Sequence, residues 1–213
     1  MTLGETERHA AAAHAAGLVE GGMRVGLGTG STVAPLIPLL AATGLRLRCV
    51  ATSEATARAA AAAGLVVKPF DTLTELDIAI DGADQIAPGP WLIKGGGRAH
   101  TREKIVAAAA RRFVVIASHE KPVPRLTAPV PLELHPFGLA STLARLQYAV
   151  PRGGAASPDG GVIADWTGPV DDPAALAQRL DAEPGLIAHG LFAPSLVTDV
   201  VVATGREVEH TRR

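Results

Sequence analysis

Three short segments in the first half of the chain carry the residue types that could do chemistry. In the first, Thr29, Ser31 and Thr32 offer hydroxyl groups within a glycine-rich stretch, 26–32, between an apolar strand pattern and a helix pattern. Glycines such as Gly30 allow a tight turn, and a helix start presents amides that favour an anion, so the segment suits a phosphate group. It lacks the last glycine of the dinucleotide-binding fingerprint and the lysine of the Walker motif. An ordinary strand–helix turn is the alternative interpretation.

Two aspartates form the second segment. Asp81 and Asp84 flank Gly82 and Ala83, directly after the apolar strand pattern of residues 77–80. In open α/β sheets, ligands bind beyond the carboxyl ends of the strands. Carboxylates at that edge could accept hydrogen bonds from sugar hydroxyls or hold a divalent metal ion, and they could equally cap the next turn of the chain.

The third segment combines a lysine, three glycines and a glutamate. Lys94 precedes Gly95, Gly96 and Gly97, and Glu103 follows shortly after them. Consecutive glycines are costly to order and are typical of backbone that must contact a ligand. The Lys94 ammonium suits a phosphate or a developing oxyanion. Glu103 lies in the first turn of a predicted helix, where it is either a general base or simply a favourable first-turn acid.

The elements that must position these segments alternate between strands and helices. Strands with uninterrupted apolar runs are typical of a parallel sheet covered on both faces, so residues 1–127 are predicted to form a doubly wound, mostly parallel α/β domain. A proline-rich connection follows, and residues 128–197 are predicted to form a smaller α+β (ferredoxin-like) domain. A last apolar strand pattern in 198–213 is expected to return to the first domain, which makes the second an insertion. The predicted elements of the first domain are helices at 4–16, 33–42, 54–64 and 101–111 and strands at 23–27, 45–51, 65–69, 77–80 and 113–117.

Composition narrows the class of protein. Of 213 residues, 47% are hydrophobic and 19% charged, which is enough apolar material for a sizeable core. The formal net charge is −1 and the cations are scattered, which argues against nucleic acid as a partner. The single cysteine, Cys49, excludes an intramolecular disulfide, and seven scattered histidines predict no metal site. The N-terminus lacks the apolar region of a secretory signal and no apolar run is long enough for a bilayer, so the cytoplasm is the expected location, with no membrane partner.

Taken together, the motifs resemble those of the type A ribose-5-phosphate isomerases. The resemblance rests on an ordered set of segments that reads GLGTGST, ATSEAT, DIAIDGAD, LIKGGG and TREKIV, followed by Lys121 after the fifth strand. It implies interconversion of D-ribose 5-phosphate and D-ribulose 5-phosphate, a homodimer or homotetramer, and no metal or organic cofactor. It implies Glu103 as the catalytic base, and Lys121 as a further substrate contact. It also implies substrate loops at Thr29–Thr32, Asp81–Asp84 and Lys94–Gly97.

The isomerisation implied by this resemblance moves a hydrogen from C2 to C1, and the chemistry of that step suggests a role for each candidate residue. Glu103 would carry the proton, while Lys94 and neighbouring amides would stabilise the enediolate oxygens. Asp81 and Asp84 would open the sugar ring and pass a proton between O1 and O2, in a division of roles that the sequence leaves open. The loop at residues 29–32 would hold the phosphate and so align the reacting end.

Several positions depart from the family pattern, and other functions stay open. Gln85 stands where a glutamate is usual, Arg98 and His100 stand where small or aliphatic residues are common, and Arg8 replaces a lysine that helps at the phosphate. The loop at 157–161 reads SPDGG where the family usually has TDNGN. One rival function is a non-catalytic sugar-phosphate sensor. Others are a CoA-transferase, which would use a glutamate as nucleophile, and a hexosamine-phosphate deaminase.

Overall fold

The structure is a computed structural model that describes residues 2–213, and the chain divides into two units. The larger unit consists of Met1–Ala83, Arg102–Lys121 and Ser195–Arg213, and the smaller unit of Asp84–Thr101 and Pro122–Pro194. The helices are α1 (Leu3–Ala16), α2 (Leu36–Ala42), α3 (Glu54–Ala62), α4 (His100–Ala109), α5 (Leu139–Arg145) and α6 (Pro173–Asp181). The strands are β1 (Arg24–Leu27), β2 (Arg48–Ala51), β3 (Val66–Val67), β4 (Ile78–Gly82), β5 (Gln85–Ile86), β6 (Leu92–Ile93), β7 (Phe113–Ser118), β8 (Val130–Leu134), β9 (Ala149–Pro151), β10 (Val162–Trp166), β11 (Leu186–His189), β12 (Leu191–Phe192), β13 (Asp199–Thr204) and β14 (Glu207–Arg212).

A seven-stranded sheet in the order β14-β13-β7-β4-β1-β2-β3 forms the centre of the larger unit. All neighbouring strands pair in parallel except β13 and β14, which form an antiparallel hairpin. The doubly wound, mostly parallel sheet predicted from the apolar strands is therefore confirmed. β13 lies beside β7, so the chain does return to this sheet after the smaller unit. β14 was not predicted, because it is a polar edge strand and lacks the apolar run that marks a central strand.

Helix α1 shows how local sequence and burial act together. Its start is defined by a capping box, in which the Thr2 hydroxyl accepts the Glu5 amide and the Glu5 carboxylate accepts the Thr2 amide. Its alanines at 11, 12, 15 and 16 are buried and allow the helix to pack closely against β7 and β13.

The single cysteine, Cys49 of β2, is also buried, and this burial raises the pKa of its thiol to about 11.

The smaller unit contains a four-stranded antiparallel sheet in the order β11-β8-β10-β9. Its chain order, β8-α5-β9-β10-α6-β11, is ferredoxin-like, as predicted for this domain, although the three-residue strand β9 was not among the predicted elements. Leu132, Leu134, Trp166 and Leu180 are almost fully buried in its core. A second sheet, β12-β6-β5, was not predicted because its two-residue strands carry no periodicity that a sequence could show.

The predicted domain boundaries differ from the two units. The sequence placed the breaks at 127/128 and 197/198, whereas the structure groups residues 84–101 and 122–127 with the smaller unit and 195–197 with the larger one. The first segment joins the smaller unit because β6 pairs with β12, and the Val123 amide donates to the Ile86 carbonyl. Such pairing between distant segments leaves no local pattern in the sequence.

Across residues 2–213, no helix has both the length and the apolar character needed to cross a membrane.

A chain of polar groups links α1 to the C-terminal hairpin and predicts a pH-dependent stability. His14 Nε2 lies 3.0 Å from His210 Nδ1, and His210 Nε2 lies 2.8 Å from the buried Asp199 carboxylate, which also accepts two bonds from Arg112. Burial, reinforced by the nearby His210 and Arg112, lowers the pKa of His14 below its usual 6.5. The unfolded chain therefore binds a proton at this site more readily than the folded chain. Stability from neutral His14 is present above pH 6.5 and falls as the pH is lowered through that region.

We expect His14→Gln to weaken this acid sensitivity. Chemical denaturation at pH 7 and pH 5 should show a smaller loss of unfolding free energy in His14→Gln than in the parent protein. His119, whose pKa is raised by its hydrogen bond to Glu7, has the opposite pH dependence, so the difference between variant and parent isolates His14. His9→Gln replaces an exposed histidine on the same helix and is the control for the loss of a histidine from α1. An identical slope in His14→Gln and the parent would contradict this account.

Candidate active site

In the larger unit, the glycine-rich loop after β1 is built around Asp81 at the end of β4. The Asp81 carboxylate is 3% exposed, and its Oδ1 accepts the Thr29 amide at 3.2 Å and the Gly82 amide at 2.8 Å. A side chain at Gly28 would place its Cβ 2.0 Å from this carboxylate, so only glycine fits there. The aspartate predicted at the carboxyl end of a parallel strand thus lies where the sequence placed it, and it organises the loop.

We expect Gly28→Ala to displace the Asp81 carboxylate. Its Cβ would collide with both the carboxyl carbon and Oδ1 of Asp81, so the two amide bonds to that carboxylate would be lost. We expect a destabilisation of about 1–3 kcal/mol, measured by urea denaturation. Gly21→Ala is the matched control, because its Cβ would meet only Leu45 Cδ2 at 3.6 Å, an ordinary contact. Equal stability of the two variants would mean that the Asp81 carboxylate moves without cost.

The residues of the predicted phosphate loop have different surroundings. The Thr29 hydroxyl lies 2.7 Å from the hydroxyl of Thr52, whereas Gly30 and Ser31 are exposed and Thr32 is half-buried. Within residues 2–213, none of the hydrogen bonds found uses the backbone amides of positions 30–32. Helix α2 begins at Leu36, later than expected, because the amides of residues 33 and 34 first turn back to the Gly30 carbonyl. The groups available to an anion are therefore turn amides and hydroxyls rather than the start of a regular helix.

Glu103 lies in the first turn of α4 and is 3% exposed. A glutamate that served only the helix dipole would have no reason to leave water, and burying a carboxylate is unfavourable. Burial therefore favours a functional role for Glu103 over the simpler interpretation as a first-turn acid.

Two cationic residues that the sequence predicts at the substrate, Lys121 and Arg8, lie on separate elements of the larger unit. Lys121 follows β7, with its side chain 32% exposed and its Nζ 3.8 Å from a Glu120 carboxylate oxygen. Arg8 is half-buried on α1 and lies along the side of the helix near Gly4. The neighbouring Glu7 is fully buried, and it accepts hydrogen bonds from the His119 ring and the Gly205 amide.

In the smaller unit, Lys94 and Asp84 are placed by β5 and β6. The Lys94 side chain is 2% exposed, its amide donates to the Gly190 carbonyl, and its ammonium lies 5.4 Å from the centre of the Phe192 ring. The Asp84 amide donates to the Ile93 carbonyl, and the Asp84 carboxylate accepts the Gly96 amide at 2.9 Å. Lys94 is thus held by its backbone and by the Phe192 ring, and the Asp84 carboxylate is held by the Gly96 amide.

The glycines of this segment are required by close packing. Gly95 has φ 112°, and a Cβ there would lie 2.8 Å from both His100 and Pro131. A Cβ on Gly96 would lie 2.9 Å from the Asp84 carboxylate. Gly97 is exposed to solvent. The glycine run therefore lets the backbone approach Asp84 and the buried His100 ring, which is a more specific reason than flexibility alone.

Comparison with known proteins assigns the chain to a family. The sequence model described as ribose 5-phosphate isomerase A (phosphoriboisomerase A) matches residues 48–207. The chain belongs to this family. A ribose-5-phosphate isomerase A from Methylorubrum extorquens is 44% identical over 205 residues, which is 87% of each chain.

Solved structures of ribose 5-phosphate isomerases agree closely with this fold. The enzyme from Methanocaldococcus jannaschii shares 32% identity with a TM-score of 0.90, covering 97% of this chain and 98% of the other. A D-ribose-5-phosphate isomerase in complex with phospho-erythronic acid shares 32% identity with a TM-score of 0.92 and covers all of both chains. As a ribose-5-phosphate isomerase A family member, this protein is an isomerase with a doubly wound α/β fold and a smaller α+β domain.

The departures from the ribose-5-phosphate isomerase A pattern have local structural reasons. The Gln85 side chain donates to the Thr127 carbonyl and accepts the Thr127 amide, a pair that glutamate could not complete because its carboxylate has no donor. His100 is fully buried against Gly95, and Arg98 hydrogen-bonds to the loop after β9. These three residues therefore each have a contact within the smaller unit.

The sequence analysis missed two features of the larger unit. Thr52 and Thr56 from the ATSEAT segment bond to the glycine-rich loop, through the Thr29 hydroxyl and the Gly28 carbonyl. Their hydroxyl spacing on a strand–helix junction was a signal that could have identified them. Within residues 2–213, three side chains bring possible metal ligands within 4.8 Å of one another, and these are Glu7, His119 and Glu120. The Glu7–His119 ion pair already explains this arrangement.

Proposed function

We propose that this protein interconverts D-ribose 5-phosphate and D-ribulose 5-phosphate by proton transfer through an enediolate. Membership of the ribose 5-phosphate isomerase A family supports this reaction, as do curated relatives with that name at about 40% identity. A close structural neighbour is complexed with phospho-erythronic acid, a sugar-acid phosphate. The observation in this chain that carries the proposal is the buried carboxylate of Glu103, at the position where the family motif TREK places its base.

Glu103 is proposed as the group that carries the proton between C2 and C1. A carboxylate can take a proton from C2 and return it to C1 without leaving the site if it faces the common side of both carbons. Burial and the position of Glu103 in the first turn of α4 limit its movement. Burial would also limit the access of water to the carboxylate, so that the abstracted proton exchanges only partly with solvent during the transfer.

Lys94, Asp81 and Asp84 are proposed to act on the oxygen atoms of the substrate. A buried ammonium is well suited to stabilise the negative charge that develops on the enediolate, because it acts in surroundings that screen charge poorly. Asp81 and Asp84 are proposed to open the sugar ring and to pass a proton between O1 and O2. Asp81 is buried and held by two amides, whereas Asp84 is exposed and held by one, so the two carboxylates are suited to different steps.

The phosphate is proposed to bind at the loop after β1. The support is the set of amides and hydroxyls at positions 30–32, with Lys121 and Arg8 as the cationic groups. The guanidinium of Arg8 can form two parallel bonds to phosphate oxygens where a lysine would form one. Binding energy from this unreactive end of the substrate would align C1 and C2 for proton transfer.

We further infer a homodimer or homotetramer in the cytoplasm that requires no metal or organic cofactor. The family resemblance supports the oligomer, and so do several exposed large apolar side chains in the smaller unit, among them Phe137 and Val150. Multi-angle light scattering would test it, since one chain has a mass of 21.8 kDa. A single species at the mass of one chain would contradict an oligomer.

The deciding experiment measures conversion of ribose 5-phosphate to ribulose 5-phosphate by the purified protein, with and without EDTA. We expect rapid turnover that EDTA does not change. Loss of activity with EDTA, restored by a divalent cation, would contradict the metal-free mechanism. Binding without turnover would favour the sugar-phosphate sensor, and a covalent thioester formed with an acyl-CoA would favour the transferase.

A further inference from the structure

Two loops of the smaller unit face each other through a pair of arginines. The first, here called the glycine loop, is Gly95–Arg98, and the second, the facing loop, is Arg152–Ala155 between β9 and β10. Arg98 of the glycine loop donates hydrogen bonds to the facing loop, and Arg152 of the facing loop donates to the glycine loop. Each loop therefore supplies the guanidinium that binds the other loop's carbonyl groups.

Arg98 has an unusual backbone conformation that its side chain stabilises. Among residues 2–213 it is the one residue other than glycine with a positive φ, 65°. Left-handed backbone is unfavourable for a residue with a Cβ. The Arg98 guanidinium donates to the Gly153 and Ala155 carbonyls, both at 2.6 Å. These charge-assisted bonds hold the end of the glycine loop in a conformation that arginine would otherwise avoid.

Arg152 acts on the middle of the glycine loop. Its Nη1 donates in a forked contact to the carbonyls of Gly95 at 3.3 Å and Gly96 at 3.4 Å. The guanidinium is itself fixed by a two-bond ion pair with Asp165 on β10. That hydrogen-bonded pair raises the pKa of Arg152, and the charge of Asp84 adds to the effect, so Arg152 also lies within electrostatic reach of Asp84.

The planar peptide group connects Arg152 to Asp84. The Gly95 carbonyl and the Gly96 amide belong to one peptide unit, and the two groups point in opposite directions. The carbonyl side accepts from Arg152, and the amide side donates to the Asp84 carboxylate at 2.9 Å. Fixing one side therefore orients the other, and a cation on the carbonyl makes the amide a stronger donor. Without that restraint, three consecutive glycines would sample many conformations.

We propose that Arg152 and Arg98 are positioning residues for catalysis, forming a reciprocal clamp that holds the Gly96 amide on the Asp84 carboxylate. Neither arginine needs to touch the substrate for this role. This inference rests on the proposed function, because it takes Asp84 as a group that acts on the sugar. It assigns a role to Arg98, which departs from the family pattern, and to Arg152, which no motif marked.

The test compares variants that open the clamp with a matched arginine elsewhere in the same unit. Arg98→Gly removes the guanidinium and accepts a positive φ without strain, and Arg98→Lys keeps the charge without the two-pronged contact. Arg152→Met and Arg152→Lys make the same comparison for the guanidinium of the facing loop. The control is Arg145→Met, which breaks a partly buried ion pair with Glu183 and touches neither loop.

We expect Arg98→Gly and Arg152→Met each to lower kcat by about 10-fold or more, while the inhibition constant of inorganic phosphate stays within about 2-fold. The lysine variants should recover part of kcat. The double variant should lose little more than the worse single one, because both changes open one clamp. Arg145→Met should retain parental kcat. A kcat within 2-fold of the parent in both single variants would overturn the proposal.

Hydrogen–deuterium exchange separates this proposal from the proposed function. We expect faster exchange at the amides of Gly96 and Gly97 in Arg98→Gly and Arg152→Met, with unchanged exchange in α5, which lies outside both loops. Unchanged exchange in the glycine loop would overturn the clamp even if the protein is active. If the parent protein does not isomerise ribose 5-phosphate, the proposed function fails, while faster exchange in these variants would still support the clamp.

Discussion

Glu103→Gln is expected to lower kcat for ribose 5-phosphate isomerisation by at least about 10²-fold while leaving substrate affinity nearly intact. The glutamine amide has almost the same size as the carboxylate, so the buried position stays filled. It cannot accept a proton from C2 at neutral pH, and proton transfer would have to proceed without a base. The measurement is kcat and KM for the purified variant, with its melting temperature as a check on folding.

The control for Glu103→Gln is another first-turn glutamate. Glu54 occupies the first turn of α3 but is exposed, and it pairs with Arg58, one turn along the helix. Glu54→Gln should have parental kcat. Solvent exchange at C2 gives an independent readout, since the Glu103→Gln variant should lose deuterium incorporation into substrate together with turnover. A Glu103→Gln enzyme with near-normal kcat would remove Glu103 as the base, and the fold would need another carboxylate for that task.

Lys94→Met is expected to lower kcat by about 10²–10³-fold, the range typical for loss of one group that stabilises an oxyanion. Methionine retains most of the apolar stem above the Phe192 ring, so the change removes chiefly the charge. Because the phosphate is proposed to bind at the loop after β1, the inhibition constant of inorganic phosphate should change by less than about 3-fold. The exposed Lys68 supplies the control, since Lys68→Met should alter neither quantity.

The ratio of these two effects decides the role of Lys94. A large loss of kcat with little change in phosphate inhibition places the ammonium at the reacting oxygens. Equal losses in both would instead place Lys94 at the phosphate and would contradict the mechanism proposed above. Small losses in both would mean that the buried ammonium serves the packing of the smaller unit.

The motifs of this chain identified the family and its candidate residues before the fold was known. Asp81 was expected at the carboxyl end of a parallel strand, and it lies there with two amides on its carboxylate. Glu103 was ambiguous, because a first-turn glutamate has an ordinary explanation. Its burial, which depends on everything packed around α4, favours a functional role that the motif alone could not establish. The catalytic and binding roles assigned here stay predictions until the variants are measured.

Sequence alone determined the parallel strands of the central sheet, the α+β class of the smaller domain and the return of β13, because long apolar runs and strand–helix alternation are local patterns. Tertiary structure decided what depends on residues far apart in the chain. It grouped residues 84–101 with the smaller unit through the pairing of β6 with β12. It brought Glu7 to His119, 112 positions away, and Arg98 to the facing loop. Such contacts follow from the directions in which side chains point after the strands have paired, and no local spacing of residues encodes them.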